Sequence, residues 1–398
     1  MVMRILMINT VYAVGSTGKI VKQISRKAKE QGFECLIAHR YETEGVDYPE
    51  NTVAVSSWWD CHIHNRLSRL TMLRGAFSGL KTRRFLKKVK NFAPDIIHLH
   101  NIHGNYINLS LLFKYIKKHG IRVVWTFHDC WPLTGNCKHF DMVACDKWKT
   151  GCGNCPQKNG ALVDISAYMY GKKQRMFDGI KDMTIVTPSA WLAEKVRLSP
   201  LGKYPIKLIN NGIDLSVFKP TESNFREKYG LVNKKIILGV SFEWDRRKGL
   251  DVFASLADAL PADYRIVLVG ANDEVKEALP NGIITIPKTD SQKALAEIYT
   301  AADLFVNPTR EDTYPTVNME AIACGTPVIS FKTGGSPEIA DDSCGLAVER
   351  DDVAAMTAQI IEVCEKKLYT KEACLARARS FNMHDRFEEY IKLYEDLI

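Results

Sequence analysis

Short apolar runs alternate with helical patterns along almost the whole chain, and they do so twice. In the first half the runs Arg4–Ile8, Cys35–Ala38, Ile96–Leu99, Val123–Phe127 and Thr184–Val186 read as strands, with helical patterns such as Lys19–Gln31 and Leu109–Lys118 between them. In the second half Lys235–Val240, Arg265–Val269, Ile283–Ile286, Leu304–Val306 and Pro327–Ser330 repeat the scheme. Strands separated by helices pair in parallel and carry helices on both faces of the sheet. The expected fold class is therefore α/β, with two doubly wound domains. A length of 398 residues accommodates both, at roughly 100–200 residues per domain. Turn residues and a proline in Ile209–Pro220 place the joint, giving a first domain over 1–205, a linker over 206–220 and a second domain over 221–380. The tail 381–398 is expected as a helix, Met383–Leu397, with Phe387, Tyr390, Ile391, Tyr394 and Leu397 as its apolar stripe.

No apolar run approaches the roughly 20 residues that span a bilayer. The opening MVMRILMINTVYAVG lacks a small-residue cleavage site and reads as a first buried strand rather than a signal peptide. Eleven scattered cysteines, some inside expected core helices (Cys324, Cys364), point to a reducing, cytoplasmic setting. The net charge of +8 hides an asymmetry: residues 1–190 hold 28 basic against 14 acidic side chains, and residues 191–398 hold 26 against 32. The basic half should be the one that meets an anionic surface. Its densest part, 66–90, has nine basic and no acidic residues with apolar side chains interleaved. That pattern fits peripheral contact with an anionic membrane, or else two ordinary helices with solvated outer faces.

The stretch Asn307–Glu338, NPTREDTYPTVNMEAIACGTPVISFKTGGSPE, concentrates the chemistry. Asp312 falls in the loop after a strand, and Glu320 on a helix beginning near Pro315, where proline suits a first turn. Free N–H groups at such a helix start attract anions, and carboxylates beside them accept sugar hydroxyls. This segment resembles the signature of the retaining GT-B glycosyltransferases of family 4, Glu-x7-Glu followed by a helix close to EAMACGxPVVA. Here Glu320 to Ser330 supplies the second half, and Asp312 stands where the family has its first glutamate. The resemblance implies two Rossmann-like domains facing a central cleft, with the last helix crossing back to the N-terminal domain. It also implies ribose contact through Glu320, sugar contact through Asp312, and Thr316 and Val317 within the donor-binding set.

Other motifs extend the likeness along the chain. In Glu243–Leu250, Lys248-Gly249 matches the family's diphosphate-binding lysine, while the usual arginine position holds Glu243, leaving Arg247 or Arg246 to substitute, with Arg247 preferred. Gly15, Ser16, Thr17 and Gly18 follow the first strand. Ala13 and Ile20 break the nucleoside-triphosphatase P-loop pattern there, and the place matches the family's Gly-rich donor loop instead. His128 ends a strand in the phrase Thr126-Phe-His-Asp, and the resemblance gives it contact with the donor sugar; His98, His100 and His103 read as packing or acceptor-lining residues. The glycines of Thr333–Glu338 suit either a donor-side turn or simple turn chemistry. Cys137, Cys145, Cys152 and Cys155 form an insertion-like cluster over 130–156 whose Cys-x2-Cys pair has structural-zinc spacing, with free thiols and disulfides as the other readings. The segment is similar to ones in capsule- and exopolysaccharide-building members of the family.

The expectation from these residues is a glycosyltransferase moving a sugar with retention from a UDP- or GDP-sugar to a lipid-linked glycan, at the inner face of the cytoplasmic membrane. No cofactor is expected for catalysis and no nucleic acid as partner. Two alternatives use the same residues: a non-hydrolysing nucleotide-sugar epimerase of the same architecture, and a non-enzymatic nucleotide or nucleic-acid binder suggested by the basic half.

Overall fold

A computed structural model describes residues 2–158 and 161–397. The chain divides into two compact units, Met1–Ile209 with Phe387–Ile398, and Asn210–Arg386. The first is built on seven strands, β1 (Arg4–Ile8), β2 (Glu34–His39), β3 (Thr52–Ala54), β4 (Ile96–Leu99), β5 (Arg122–Thr126), β6 (Met183–Thr187) and β7 (Ile206–Leu208). They pair in parallel in the order β3-β2-β1-β4-β5-β6-β7. Strand order reverses beside β1, which lies between β2 and β4, so the crevice outside its carboxyl end is where such sheets bind ligands. Ile5, Leu6, Met7 and Ile8 are fully buried, as strands covered on both faces require.

The second unit repeats the design with β8 (Lys235–Val240), β9 (Tyr264–Val269), β10 (Ile284–Ile286), β11 (Leu304–Asn307), β12 (Val328–Phe331) and β13 (Gly345–Val348). Their order is β10-β9-β8-β11-β12-β13, all parallel, with the reversal between β8 and β11. Apolar clusters cover both faces, one around Leu238, Phe305 and Met319, the other around Phe253, Val306 and Ile360.

Three strands depart from the sequence expectation, β3, β7 and β13, and each is a sheet edge. The sequence reading puts Ile206–Leu208 in the linker, but these residues pair with β6 as the seventh strand. The first helix runs Gly15–Glu30, four residues earlier than expected at its start. The last, Met383–Asp396, brings Tyr390 and Tyr394 into the first unit's core, where Tyr394 bonds His98 Nδ1 at 2.6 Å and Thr126 Oγ1 lies 3.2 Å from the Tyr390 hydroxyl. Among the described residues no helix is long and apolar enough to cross a membrane.

Candidate active site

In the second unit the loops after β8 and β11 meet. A 3-10 turn, Arg246–Lys248, is capped by Asp245, whose carboxylate accepts from the Lys248 backbone N–H at 2.9 Å. The following Gly249 has φ +78, and a Cβ there would stand 2.5 Å from the Pro308 carbonyl oxygen, so only glycine lets the two loops approach this closely. The turn delivers Lys248 to Asp312, Nζ to Oδ2 at 2.8 Å, with both side chains about four-fifths buried. Arg310, which sequence reasoning missed, fixes the arrangement. Its side chain is 8 % exposed, and it donates to both oxygens of Asp251 at 2.7 and 2.9 Å, to Asp351 at 2.6 Å and to the Arg246 carbonyl. The Asp251 hydrogen bond, opposed by burial, raises the guanidinium's pKa further. Of the two arginines beside Lys248, Arg247 is 31 % exposed with Nε 3.7 Å from Asp245, whereas Arg246 is 76 % exposed.

Helix Thr316–Ala323 starts beside Asp312. Pro315 is its cap residue rather than part of its first turn, and no side chain caps it, which leaves the N–H groups around Thr316 and Val317 without a side-chain acceptor. One turn further on, Glu320 Oε2 accepts from the Tyr299 hydroxyl at 3.2 Å. Gly334, with φ +55, lies against the Asp312 carbonyl; a Cβ there would fall 1.6 Å from that oxygen. The glycine of Thr333-Gly-Gly is therefore a steric requirement of the Asp312 loop.

The remaining expected residues belong to the first unit. Gly15, Ser16, Thr17 and Gly18 form the first turn of helix Gly15–Glu30, and no side chain caps that end either. His128 follows β5; its Nε2 lies 3.0 Å from His100 Nδ1 with the rings stacked, and burial pushes it down to about 4, so it is neutral at pH 7. His98 packs inside the core, whereas His103 holds Asp129 at 2.8 Å. Burial would raise the Asp129 carboxyl, but His103, His139 and the Trp131 N–H together more than offset it and hold the group well below its usual range.

The Cys-rich stretch folds around a cavity of about 20 Å³ lined by Cys137, Cys145, Cys152 and Cys155, with Phe140 stacked on Trp148 at 4.7 Å. Burial pushes Cys137 up to about 11 and also raises Cys152 and Cys155. Among the described residues no three His, Cys, Asp or Glu side chains are gathered as the ligands of a metal ion are. Lys173 closes the cluster from helix Ser166–Phe177: it is 1 % exposed, donates to the carbonyls of Trp131 and Thr134, and lies 3.5 Å from the Trp131 ring centroid.

Residues 234–366 match the family described as glycosyl transferases group 1, and residues 17–217, just over half the chain, match the description Glycosyltransferase Family 4. The chain belongs to that family. The protein is thus a glycosyltransferase, and the non-enzymatic reading of its basic half is set aside. It is 23 % identical over a 427-residue alignment, covering 99 % of this chain and all of the relative, to WcaC of Escherichia coli K12, named as a colanic acid biosynthesis glycosyl transferase. A D-inositol 3-phosphate glycosyltransferase of Mycolicibacterium smegmatis is 28 % identical over 65 % of this chain and 59 % of its own. Among solved structures, sucrose-phosphate synthase from Thermosynechococcus elongatus superposes with TM-score 0.73 at 17 % identity, covering 99 % of each chain. Anabaena HepE, solved with UDP-glucose, superposes with TM-score 0.68 at 14 % identity, covering 99 % of this glycosyltransferase and all of HepE. These likenesses and the two parallel-sheet units give the chain the GT-B fold.

Proposed function

We propose that this glycosyltransferase moves a sugar from a nucleotide-sugar donor to a lipid-linked glycan, with retention of configuration, in bacterial surface-polysaccharide assembly. The observation that carries the donor assignment is the Lys248–Asp312 pair at the carboxyl ends of β8 and β11, beside an uncapped helix start. A diphosphate needs cationic and N–H donors, and Lys248, Arg247 and the first turn of helix Thr316–Ala323 offer both. Glu320, steadied by Tyr299, takes the ribose; Asp312, and by family likeness His128, take the sugar. The bond from the anomeric carbon to the diphosphate oxygen breaks as the acceptor hydroxyl bonds to the same face, and its proton passes to the departing phosphate. The lysine and arginine stabilise the charge that develops on that phosphate.

HepE's complex with UDP-glucose favours a UDP-sugar, and the names of WcaC and of WaaG, a lipopolysaccharide-biosynthesis glycosyltransferase with TM-score 0.67, favour a surface glycan as acceptor. Membrane contact is supported by helix Trp58–Thr71, where Trp59, Ile63 and Leu70 are 72 %, 60 % and 47 % exposed beside Arg66 and Arg69. The neighbouring helix Gly79–Phe92 buries Phe85 and Val89 and exposes Leu80, so the proposed contact takes in the helix from Trp58 as well as 66–90. Calorimetric titration with UDP, GDP, ADP and CMP in EDTA tests the donor site: one nucleotide binds and Glu320→Ala abolishes it. Binding of none of the four sinks the reading.

A further inference from the structure

The first unit holds a cavity of about 500 Å³ at its topological switch point, walled by residues following β1 (Thr10), β2 (Arg40) and β4 (Asn101, His103). That volume falls within the roughly 300–1,000 Å³ typical of small-molecule sites. Arg40, Arg74 and Lys138 line it, and no aspartate or glutamate does. Arg40 lies over the Tyr41 ring at 4.3 Å, and burial pulls the Arg74 guanidinium below its usual pKa. Among the described residues none of the three cations has an ion-pair partner or a side-chain hydrogen bond. A guanidinium offers five N–H donors in a planar fork suited to oxyanions, and holding two of them partly desolvated and unpaired is unfavourable. The nearby Asp129 is already taken by His103 at 2.8 Å and does not supply the missing charge. Asn105, in the same wall, has a buried Oδ1 with no hydrogen-bond partner, an acceptor suited to a ligand hydroxyl. Helix Trp58–Thr71 contributes His62 and Asn65 to the cavity while its outer face exposes Trp59 and Ile63.

We propose that this cavity binds a phosphate group carried by the acceptor, gripped by Arg40 and Arg74 with Lys138 at the rim. The inference rests on the transferase reading for the word acceptor; the phosphate site itself does not. Paired cations favour phosphate because it brings more than one negative charge. Calorimetry with inorganic pyrophosphate and with farnesyl diphosphate tests it in wild type, Arg74→Gln, Arg40→Gln and Lys138→Gln, with the nucleotide titration repeated on each. The expected result is binding weakened about 10-fold or more by either arginine variant, and less by Lys138→Gln, with nucleotide affinity unchanged. Tighter binding of farnesyl diphosphate than of pyrophosphate assigns the phosphate to a lipid carrier; equal affinities assign a free phosphorylated acceptor. Failure of both probes to bind, or binding indifferent to all three substitutions, overturns the proposal. Lys138 is exposed, so its variant tests the site even if an arginine variant does not fold. Failure of all four nucleotides to bind, alongside intact, arginine-dependent phosphate binding, sinks the proposed donor site and leaves this site standing.

Discussion

The two sheets reverse their strand order in the same way, yet the crevices at their switch points are in opposite electrostatic states. In the second unit Lys248 is held by Asp312, and Arg310 by Asp251 and Asp351. In the first, Arg40 and Arg74 face a cavity without any carboxylate in its wall. One crevice is internally neutralised and held in shape by its own ion pairs. The other keeps its charge for something that arrives. Histidine follows the same division, since nine of the ten lie before residue 210 and only His384 after it.

The largest effect expected from breaking this contrast is on stability, at Arg310. Arg310→Ala leaves Asp251 facing a void and frees the loops after β8 and β11. Because Asp251 and Asp351 are about half exposed, the cost should be about 3 kcal/mol, the low end for a broken buried pair. Lys332→Ala, which removes an exposed pair with Glu349, should cost under about 1 kcal/mol. Equal shifts in denaturant midpoint for the two variants would mean that Arg310 is not the clamp described.

Acid should separate the units next. Burial lowers His98 to about 3 and His128 to about 4, and holds His100 well below its usual value. Each folded-state pKa lies below its unfolded value near 6.5, so the unfolded chain binds more protons. The stabilising contribution is complete above about pH 6.5 and is lost as pH falls toward 4, at roughly 1.4 kcal/mol per pH unit for each proton taken up. Six of the seven tryptophans lie in the first unit, so fluorescence-detected melting at pH 7.5, 6.0 and 5.0 should show its midpoint falling stepwise. A flat profile contradicts the depressed histidines. His98→Gln should make the profile shallower.

A smaller effect is expected at Lys248. Lys248→Ala should weaken nucleotide diphosphate binding about 10-fold and also lower the melting temperature, because the pair it breaks is about four-fifths buried. Nucleotide affinity unaltered in this variant would place the diphosphate elsewhere.

Much of this contrast was readable in the chain, but unevenly. The second crevice is written in one contiguous phrase, with Asp312, Glu320 and the glycines that Gly334's contact requires. Arg310 stands in that phrase, but its role depends on Asp251 and Asp351, some 59 and 41 residues away in either direction, and no local pattern reports such a pairing. Arg40 and Arg74 come from segments 34 residues apart and have no ion-pair partner among the described residues to mark them. Interior strands announced themselves through continuous burial. The missed β3, β7 and β13 are edges: β7 exposes Lys207 and Leu208, and β3 buries only Val53. With one neighbour each, they need less apolar sequence and so leave a weaker trace.

The thiol cluster sharpens the comparison at its smallest scale, because the first unit places there another cation, the buried Lys173, without a carboxylate ion-pair partner among the described residues. Burial pulls that lysine down to about 7 and pushes Cys137 up to about 11, so both lean toward their neutral forms. A zinc tetrathiolate would reverse this state: four deprotonated sulfurs would carry net negative charge against Lys173 and favour its ammonium form. As placed, the four thiols line a cavity of about 20 Å³ without three of them converging as ligands. The expected outcome is therefore that a strong chelator leaves the melting temperature unchanged, and that Lys173→Met costs only about 1–3 kcal/mol, for the buried donor that the Trp131 and Thr134 carbonyls lose. A chelator-dependent fall in melting temperature, with one zinc released per chain, would show instead that the thiols close on an ion. Lys173→Met should then be strongly destabilising, since it would strip the counter-charge from a buried anionic centre.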